Sequence, residues 1–502
     1  MNVSELLARN ARKYPLQEAV IDGADRLTYQ ELDQTVTSLS HQLRSLGVEK
    51  GDKVVLFSPN CKEFLYVYFA VLRVGGVIVP INARLTASEI DYILDHSDAK
   101  MMVTHQALFE SVRELPSRHD ITWIKTGEVI DSWLSLEQLI ESGETTPIEC
   151  ALTEEDEATI LYTSGTTGKP KGVLFTYRNL LTVAVMICVE MGVGPFSRFL
   201  HMMPLSHSAP LHLFLLAGTY AGSTHVLSPT FTPDLLLQLV SRERITHFFG
   251  APIAFLLTAN HPEIDQYDLS SIQYWLYGGA PLGQQEVQFV KQKFNTSNLM
   301  CLYGLTEAGP SGTLLQPEEH EHKAGSVGRR AALNCELRIV DDKGNDVVDG
   351  EIGEIILSGE GTMKGYYKNP QETENTIKGR WLYTGDMAKR DEDGYIWIVD
   401  RKKDMIISGG QNIYPKEIED TLRMHPAIME VAVVGVPHPE WGETVKAVLV
   451  LKEHFEENEI AEECKRFLAD KLASFKVPRS YQIMTELPRN ATGKILKTQL
   501  RA

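Results

Sequence analysis

The chain has 502 residues, too many for one hydrophobic core, so about two to four domains are expected. With 43% hydrophobic and 23% charged residues it has an ordinary globular composition. The 49 Lys+Arg against 67 Asp+Glu give a net charge of −18 with no Lys/Arg-dense segment, which argues against a nucleic-acid binder. The six cysteines are scattered and form no CxxC pair, so neither a zinc site nor a disulfide scaffold is indicated and reduced thiols are expected.

In chain order, the start MNVSELLARNARKYP reads as a short amphipathic helix and not as a signal peptide. KVVLFSP (53–59) reads as a strand, EFLYVYFAVLRVG (63–75) as a helix ending on glycine, VIVPIN (77–82) as a strand, ASEIDYILDHSD (87–98) as a helix and MMVTH (101–105) as a strand. Such alternation predicts crossover units and mostly parallel sheets. The rhythm recurs between ITHFFGAP (245–252) and NLMCLYG (298–304). The most apolar window, LHLFLLAGTYAGSTHVL (211–227), is broken by His212, Thr219, Ser223 and His225, so no membrane span is expected.

Near residue 330 the texture changes. CELRIVDDKGNDVVDGEIGEIILSGEG (335–361) and the run 381–410 predict antiparallel strands with Asp/Gly turns, and EDGYIWIVD predicts a hairpin. After Arg401 a small α+β unit follows: a helix (415–424), strands 430–436 and 444–453, a helix (460–473), and a last turn-plus-helix (490–500). The expected domains are 1–400 and 401–502, with a tight join at Asp400–Lys403.

LYTSGTTGKPKGV (161–173) follows the strand EATILY. Glycines let backbone N–H groups approach an anion, hydroxyls add donors, and Lys169 and Lys171 add charge, so the loop suits a polyphosphate. It is not a Walker A loop, because only two residues separate Gly165 from Gly168 and Pro170 follows Lys169. Four further segments stand out: PLSHSAPL (204–211), YGGAPL (277–282), CLYGLTEAGP (301–310) and WLYTGD (381–386). VDRKKDMI, SGGQNIYPKEIE (408–419) and NATGKILK (490–497) complete the set.

Together and in this order, these motifs resemble the adenylate-forming superfamily of acyl-CoA synthetases, peptide-synthetase adenylation domains and beetle luciferases, and look closest to bacterial fatty acyl-CoA ligases. The resemblance runs over essentially the whole chain. It implies an α/β fold: a large N-terminal domain of mostly parallel α/β sheets plus a distorted β-barrel, and a small mobile α+β C-terminal domain.

The same resemblance implies site roles. Thr163, Ser164, Gly165, Thr166, Thr167, Gly168, Lys169 and Lys171 would hold the ATP phosphates. Gly279, Ala280, Tyr303 and Gly304 would surround the adenine, with Tyr303 stacked on it. Thr306 would bond the α-phosphate, and Glu307 with Thr166 would hold Mg²⁺. Asp386 and Arg401 would take the ribose, Lys403 the hinge, and Gly409 and Gly410 the CoA arm. His207, Gly278, Gly279 and Gly304 would line the acid pocket, and Lys494 would be the mobile lysine of adenylation. Catalysis would rest on Lys494, Thr306, Glu307 and His207. Most relatives carry phenylalanine where this chain has Ser206, and Pro310 is less usual after its motif.

The implied reaction joins a carboxylic acid to CoA with ATP and Mg²⁺, releasing AMP and diphosphate through an acyl-adenylate. The pocket segments are apolar and hold no Arg or Lys for a second carboxylate. A medium- or long-chain fatty acid leads, and an aryl or alicyclic acid follows. The rival readings are a stand-alone adenylation enzyme loading a carrier protein, a non-catalytic acyl- or nucleotide-binding protein, and a luciferase-like oxygenase, for which nothing in the residues speaks. The expected partner is a small-molecule acid in the cytoplasm, with no nucleic acid; a peripheral membrane contact and a homodimer stay open.

Overall fold

The computed structural model describes residues 3–163, 169–452, 455, 459–469, 471–489 and 495–501. The chain divides into two compact units, one of Met1–Leu337 with Leu357–Leu382, the other of Arg338–Ile356 with Tyr383–Ala502. The join read at Asp400–Lys403 falls inside the second unit, where Lys402–Asp404 form a single 3-10 turn.

The first unit holds two large sheets. The eight-stranded one runs Gly365–Tyr366, Lys171–Thr176, Glu157–Thr163, Val77–Ile81, Lys53–Phe57, Ala99–Thr104, Thr122–Lys125 and Trp133–Ser135 in spatial order. Its strands pair in parallel from Glu157–Thr163 onward, which fits the strand–helix alternation of the sequence. Every residue of Val77–Ile81 is buried, as a strand covered on both faces requires. The helix Lys62–Arg73 buries all residues from Phe64 to Arg73. Each large apolar side chain so buried contributes about 1.5–3 kcal/mol.

The next helix, Ala87–Ser97, starts on a capping box: Glu89 Oε2 accepts the Thr86 N–H at 2.8 Å and Thr86 Oγ1 accepts the Glu89 N–H at 3.4 Å. Loss of such a cap costs about 1 kcal/mol.

The nine-stranded sheet runs Arg330–Ala331, Gly312–Leu315, Leu299–Gly304, Tyr274–Gly278, His247–Gly250, Arg198–His201, Thr224–Leu227, Glu18–Asp22 and Asp25–Thr28. Its centre is parallel and only its two ends turn antiparallel. Ligands of open α/β sheets bind beyond the carboxyl ends of parallel strands. The segments after His201, Gly250, Gly278 and Gly304 are all of that kind.

In the second unit the predicted hairpin forms, with Asp386 opposite Arg401 and Arg390 opposite Ile396. A further sheet orders Gln411–Ile413, Ile406–Ser408, Gly442–Leu451 and Ile428–His438, and Ser480–Ile483 joins Gly442–Leu451 in parallel. Helices Pro415–Arg423 and Ile460–Ala469 cover it through Ile418, Leu422, Cys464 and Leu468.

The helix expected at the end of 490–500 is not found: among the described residues there is one 3-10 turn, Lys497–Leu500. Before it, Ile495 makes a β-bridge with Arg489. All six cysteines are free thiols. Among the described residues no helix is long and apolar enough to cross a membrane.

Candidate functional site

The glycine-rich loop joins two antiparallel strands, Glu157–Thr163 and Lys171–Thr176, and Thr163 pairs directly with Lys171 at its base. A strand follows the loop, not the helix that a Walker loop opens, as Pro170 requires. Ser164, Gly165, Thr166, Thr167 and Gly168 lie outside the described residues. Lys169 Nζ lies 5.4 Å from the Tyr92 ring centroid. Lys171 Nζ meets Glu372 Oε1 at 2.6 Å and lies 4.6 Å from the centre of the Tyr366 ring. The lysine is therefore held by a carboxylate and a π-face before any ligand arrives.

Tyr303 and Gly304 end the strand Leu299–Gly304, and Thr306 and Glu307 lie in the 3-10 turn after it. Thr306 Oγ1 and Ser208 Oγ are 2.9 Å apart, which joins this turn to the segment carrying His207. Tyr366 donates its hydroxyl to Glu307 Oε1 at 2.9 Å. The other carboxylate oxygen has no partner among the described residues, so Glu307 offers a hard oxygen donor of the type Mg²⁺ takes. Thr166, the other expected ligand, is outside the described residues.

Gly304 has a plain packing reason: a Cβ there would stand 2.0 Å from the Pro310 carbonyl oxygen. Gly278 abuts the Phe249 ring and the Leu302 carbonyl, and Gly279 and the exposed Ala280 follow at the strand's carboxyl end.

His207 sits one turn beyond Arg198–His201, and burial lowers its basicity. Two asparagines hold this segment, each from the carboxyl end of a strand in the other sheet. Asn60 donates to the His201 and Met203 carbonyls at 3.0 and 2.9 Å and accepts from Leu205 N at 2.8 Å. Asn82 Nδ2 reaches His207 Nε2 at 3.1 Å. Sequence reasoning missed Asn60, Asn82, Ser208 and Tyr366. The one cue was an asparagine placed just after an apolar strand, in SPN and PIN.

The floor beside this segment is aromatic. Phe214 and Phe249 stack at 4.9 Å, and with Phe199, Pro210, Met203, His201 and His247 they enclose a cavity of about 10 Å³. His201 Nε2 and His225 Nδ1 share a proton at 2.9 Å. Burial holds His201 well below the usual range, His212 and His225 at about 3, and His247 at about 4, so all four rings are neutral.

In the second unit, Asp386 is 4% exposed, and Arg401 Nε lies 2.7 Å from its Oδ1. Thr384 Oγ1 accepts the Asp386 N–H at 3.1 Å. Gly409 and Gly410 form the two-residue turn of the hairpin Ile406–Ser408/Gln411–Ile413, with φ of +56° and +80°. That turn type selects glycine whatever the ligand. Lys403 lies in the 3-10 turn after Arg401. Lys494 lies outside the described residues.

The chain matches the family model for AMP-binding enzymes over residues 7–367 and that for the AMP-binding enzyme C-terminal domain over 417–494. It is 36% identical to a feruloyl-CoA synthase of Amycolatopsis sp., covering 98% of this chain and 97% of that one. It is 34% identical to the long-chain-fatty-acid–CoA ligase of Bacillus subtilis (strain 168), covering 99% and 94%. The o-succinylbenzoate CoA synthetase of Bacillus subtilis, solved with its acyl-adenylate intermediate, superimposes with a TM-score of 0.87 at 30% identity, covering 99% and 98%.

Proposed function

The chain belongs to the AMP-binding enzyme family, within the adenylate-forming superfamily, and is an acid–CoA ligase using ATP, Mg²⁺ and CoA; on that footing we propose how its residues divide the work and which acid it takes. The substrate carboxylate attacks the α-phosphorus of ATP, the bond to the β-phosphate oxygen breaks, and diphosphate leaves. The CoA sulfur then attacks the acyl carbonyl, its proton is lost, and the bond to the AMP oxygen breaks. No protein nucleophile takes part, so positioning and charge neutralisation supply the catalysis.

Lys169, Lys171 and the loop 163–168 bind the phosphates. Thr306, oriented by Ser208, donates to the α-phosphate. Glu307 and Thr166 hold Mg²⁺, which when bound neutralises charge on the phosphate oxygens. Tyr303, Gly304, Gly279 and Ala280 take the adenine, and Asp386 accepts from the ribose hydroxyls with Arg401 beside it. Lys494 assists the first half-reaction only. Lys403 is the hinge, and Gly409 and Gly410 border the CoA arm.

For the acid, we infer a compact apolar monocarboxylate that carries a ring. The observation behind this is the stacked Phe214–Phe249 pair beside the His207 segment, whose flat rings suit contact with a planar group. The apolar pocket segments equally favour the fatty acid that sequence alone puts first, and the 34% identity to a long-chain ligase keeps it as the second reading. ATP–pyrophosphate exchange without CoA tests the adenylate. Exchange should appear with the cognate acid and be lost in Lys494→Ala, while thioester formation from supplied acyl-adenylate persists. Equal loss of both halves would contradict the role given to Lys494.

A further inference from the structure

The hydrogen-bond donors around His207 fix where its proton sits. Arg84 N–H points at Asn82 Oδ1 at 2.9 Å. A backbone N–H only donates, so that atom is the amide oxygen. The remaining amide atom is then the NH₂ group, and it faces His207 Nε2 at 3.1 Å. An NH₂ group also only donates, so Nε2 presents its lone pair and the single proton of the neutral ring lies on Nδ1.

A doubly protonated ring would set two donors against each other at this contact. Burial adds to that cost, and among the described residues no charged side chain offsets it: Arg84 in the Asn82 loop has the wrong sign, and Glu307 beyond Thr306 exerts no resolved pull. Asn82 itself is set by the end of the wholly buried strand Val77–Ile81. Nδ1 has no partner among the described residues.

We propose that Asn82 is a positioning residue that locks His207 as the neutral Nδ1–H tautomer, so that the ring offers an uncharged donor to a carboxyl oxygen of the acid. The assignment to the acid rests on the reading, implied by the family resemblance, that His207 lines the acid pocket. The chemistry favours such a donor. An imidazolium would pair with the carboxylate in the ground state and blunt the nucleophile that must attack phosphorus. A neutral N–H orients the same oxygen without that cost.

The direct test is NMR of the full chain labelled with ¹⁵N in histidine, with the His207 signals identified by their loss in His207→Gln. In the wild type they should show protonated Nδ1 and bare Nε2, unchanged between about pH 5 and 8. In Asn82→Asp a carboxylate faces Nε2, and the ring should gain a second proton with a midpoint inside that window. A wild-type ring that titrates there or carries its proton on Nε2 overturns the proposal, as does an Asn82→Asp ring that stays unchanged. If Asn82→Asp does not fold, the wild-type spectrum decides alone.

A second arm uses turnover. His207→Asn keeps an amide donor near the Nδ1 position, whereas His207→Gln keeps an amide only near Nε2. The Asn variant should retain about tenfold more thioester formation than the Gln variant. The reverse order overturns the role of Nδ1. The NMR arm needs no substrate, so a failure of the ligase reading and a failure of this one are told apart.

Discussion

Tyr366 donates its hydroxyl to Glu307 Oε1 at 2.9 Å while its ring centre lies 4.6 Å from Lys171 Nζ. One side chain thus ties the acid proposed to hold the metal to the lysine at the base of the glycine-rich loop. Neither charge is left to find its position when ATP binds, which is what a site built on positioning needs.

Tyr366→Phe removes the hydroxyl and keeps the ring. Glu307 loses a fixed donor, and Lys171 keeps its π-face. The expected outcome is a rise of several-fold in the Mg²⁺ concentration needed for half-maximal exchange, with a smaller change in the KM for the acid. An unchanged Mg²⁺ dependence would show that Glu307 is held by other groups.

Asp386 is buried, and Arg401 Nε lies 2.7 Å away. Arg401→Ala leaves that carboxylate with a lost charge-assisted bond, worth about 1.5–3 kcal/mol where buried and less here because Arg401 is partly exposed. The KM for ATP should rise and the apparent melting temperature should fall slightly. Arg401→Lys should restore little, because an ammonium does not reproduce the guanidinium Nε contact. Full rescue by lysine would reduce the role of Arg401 to charge alone.

Gly304→Ala would place a methyl carbon 2.0 Å from the Pro310 oxygen. The two backbones must part, at a cost of about 1–3 kcal/mol or more. Urea unfolding should show a lower midpoint at an unchanged slope. Exchange activity should fall too, since Tyr303 and Thr306 flank the displaced residue.

The buried histidines make stability depend on pH. An unfolded histidine binds a proton below about pH 6.5. The folded rings stay neutral down to about 3 for His212 and His225 and about 4 for His247. The unfolded chain therefore binds more protons in this window, and stability rises with pH. The contribution is complete above about pH 6.5 and is lost as pH falls towards the folded values. Among the described residues His212 has no partner on either ring nitrogen. His212→Leu should lessen the acid slope by about one proton without lowering the melting temperature at neutral pH. An unchanged slope would mean that His212 is protonated in the fold.

Much of this was legible in the sequence, for stated physical reasons. KVVLF and VIVPI alternate with helical runs, and that rhythm fixes parallel sheets. LYTSGTTGKPKGV is proposed as a phosphate loop because glycine, hydroxyl and lysine act through type and spacing together, while the two strands that carry it, Glu157–Thr163 and Lys171–Thr176, are seen directly. Asn82 and Tyr366 escaped notice because each is a lone polar residue whose meaning depends on a partner 125 or 59 positions away. The turn-plus-helix expected over 490–500 is replaced, among the described residues, by a bridge between Arg489 and Ile495 and a single 3-10 turn, because a strand-like pairing with a residue six positions back is not visible in local periodicity. Gly409 and Gly410 show the opposite hazard, since a tight turn alone explains them.

The most direct measurement is diphosphate release and thioester formation with ATP, Mg²⁺ and a panel of acids, each with and without CoA. The panel runs from acetate to palmitate beside benzoate, cinnamate, ferulate and malonate. The expected result is CoA-dependent thioester with an apolar monocarboxylate, highest among the ring-bearing acids, and none with malonate. A maximum among the fatty acids would keep the ligase and overturn the reading of the pocket floor. Diphosphate release that CoA does not accelerate, with no acyl-CoA formed from any acid, would contradict the ligase itself.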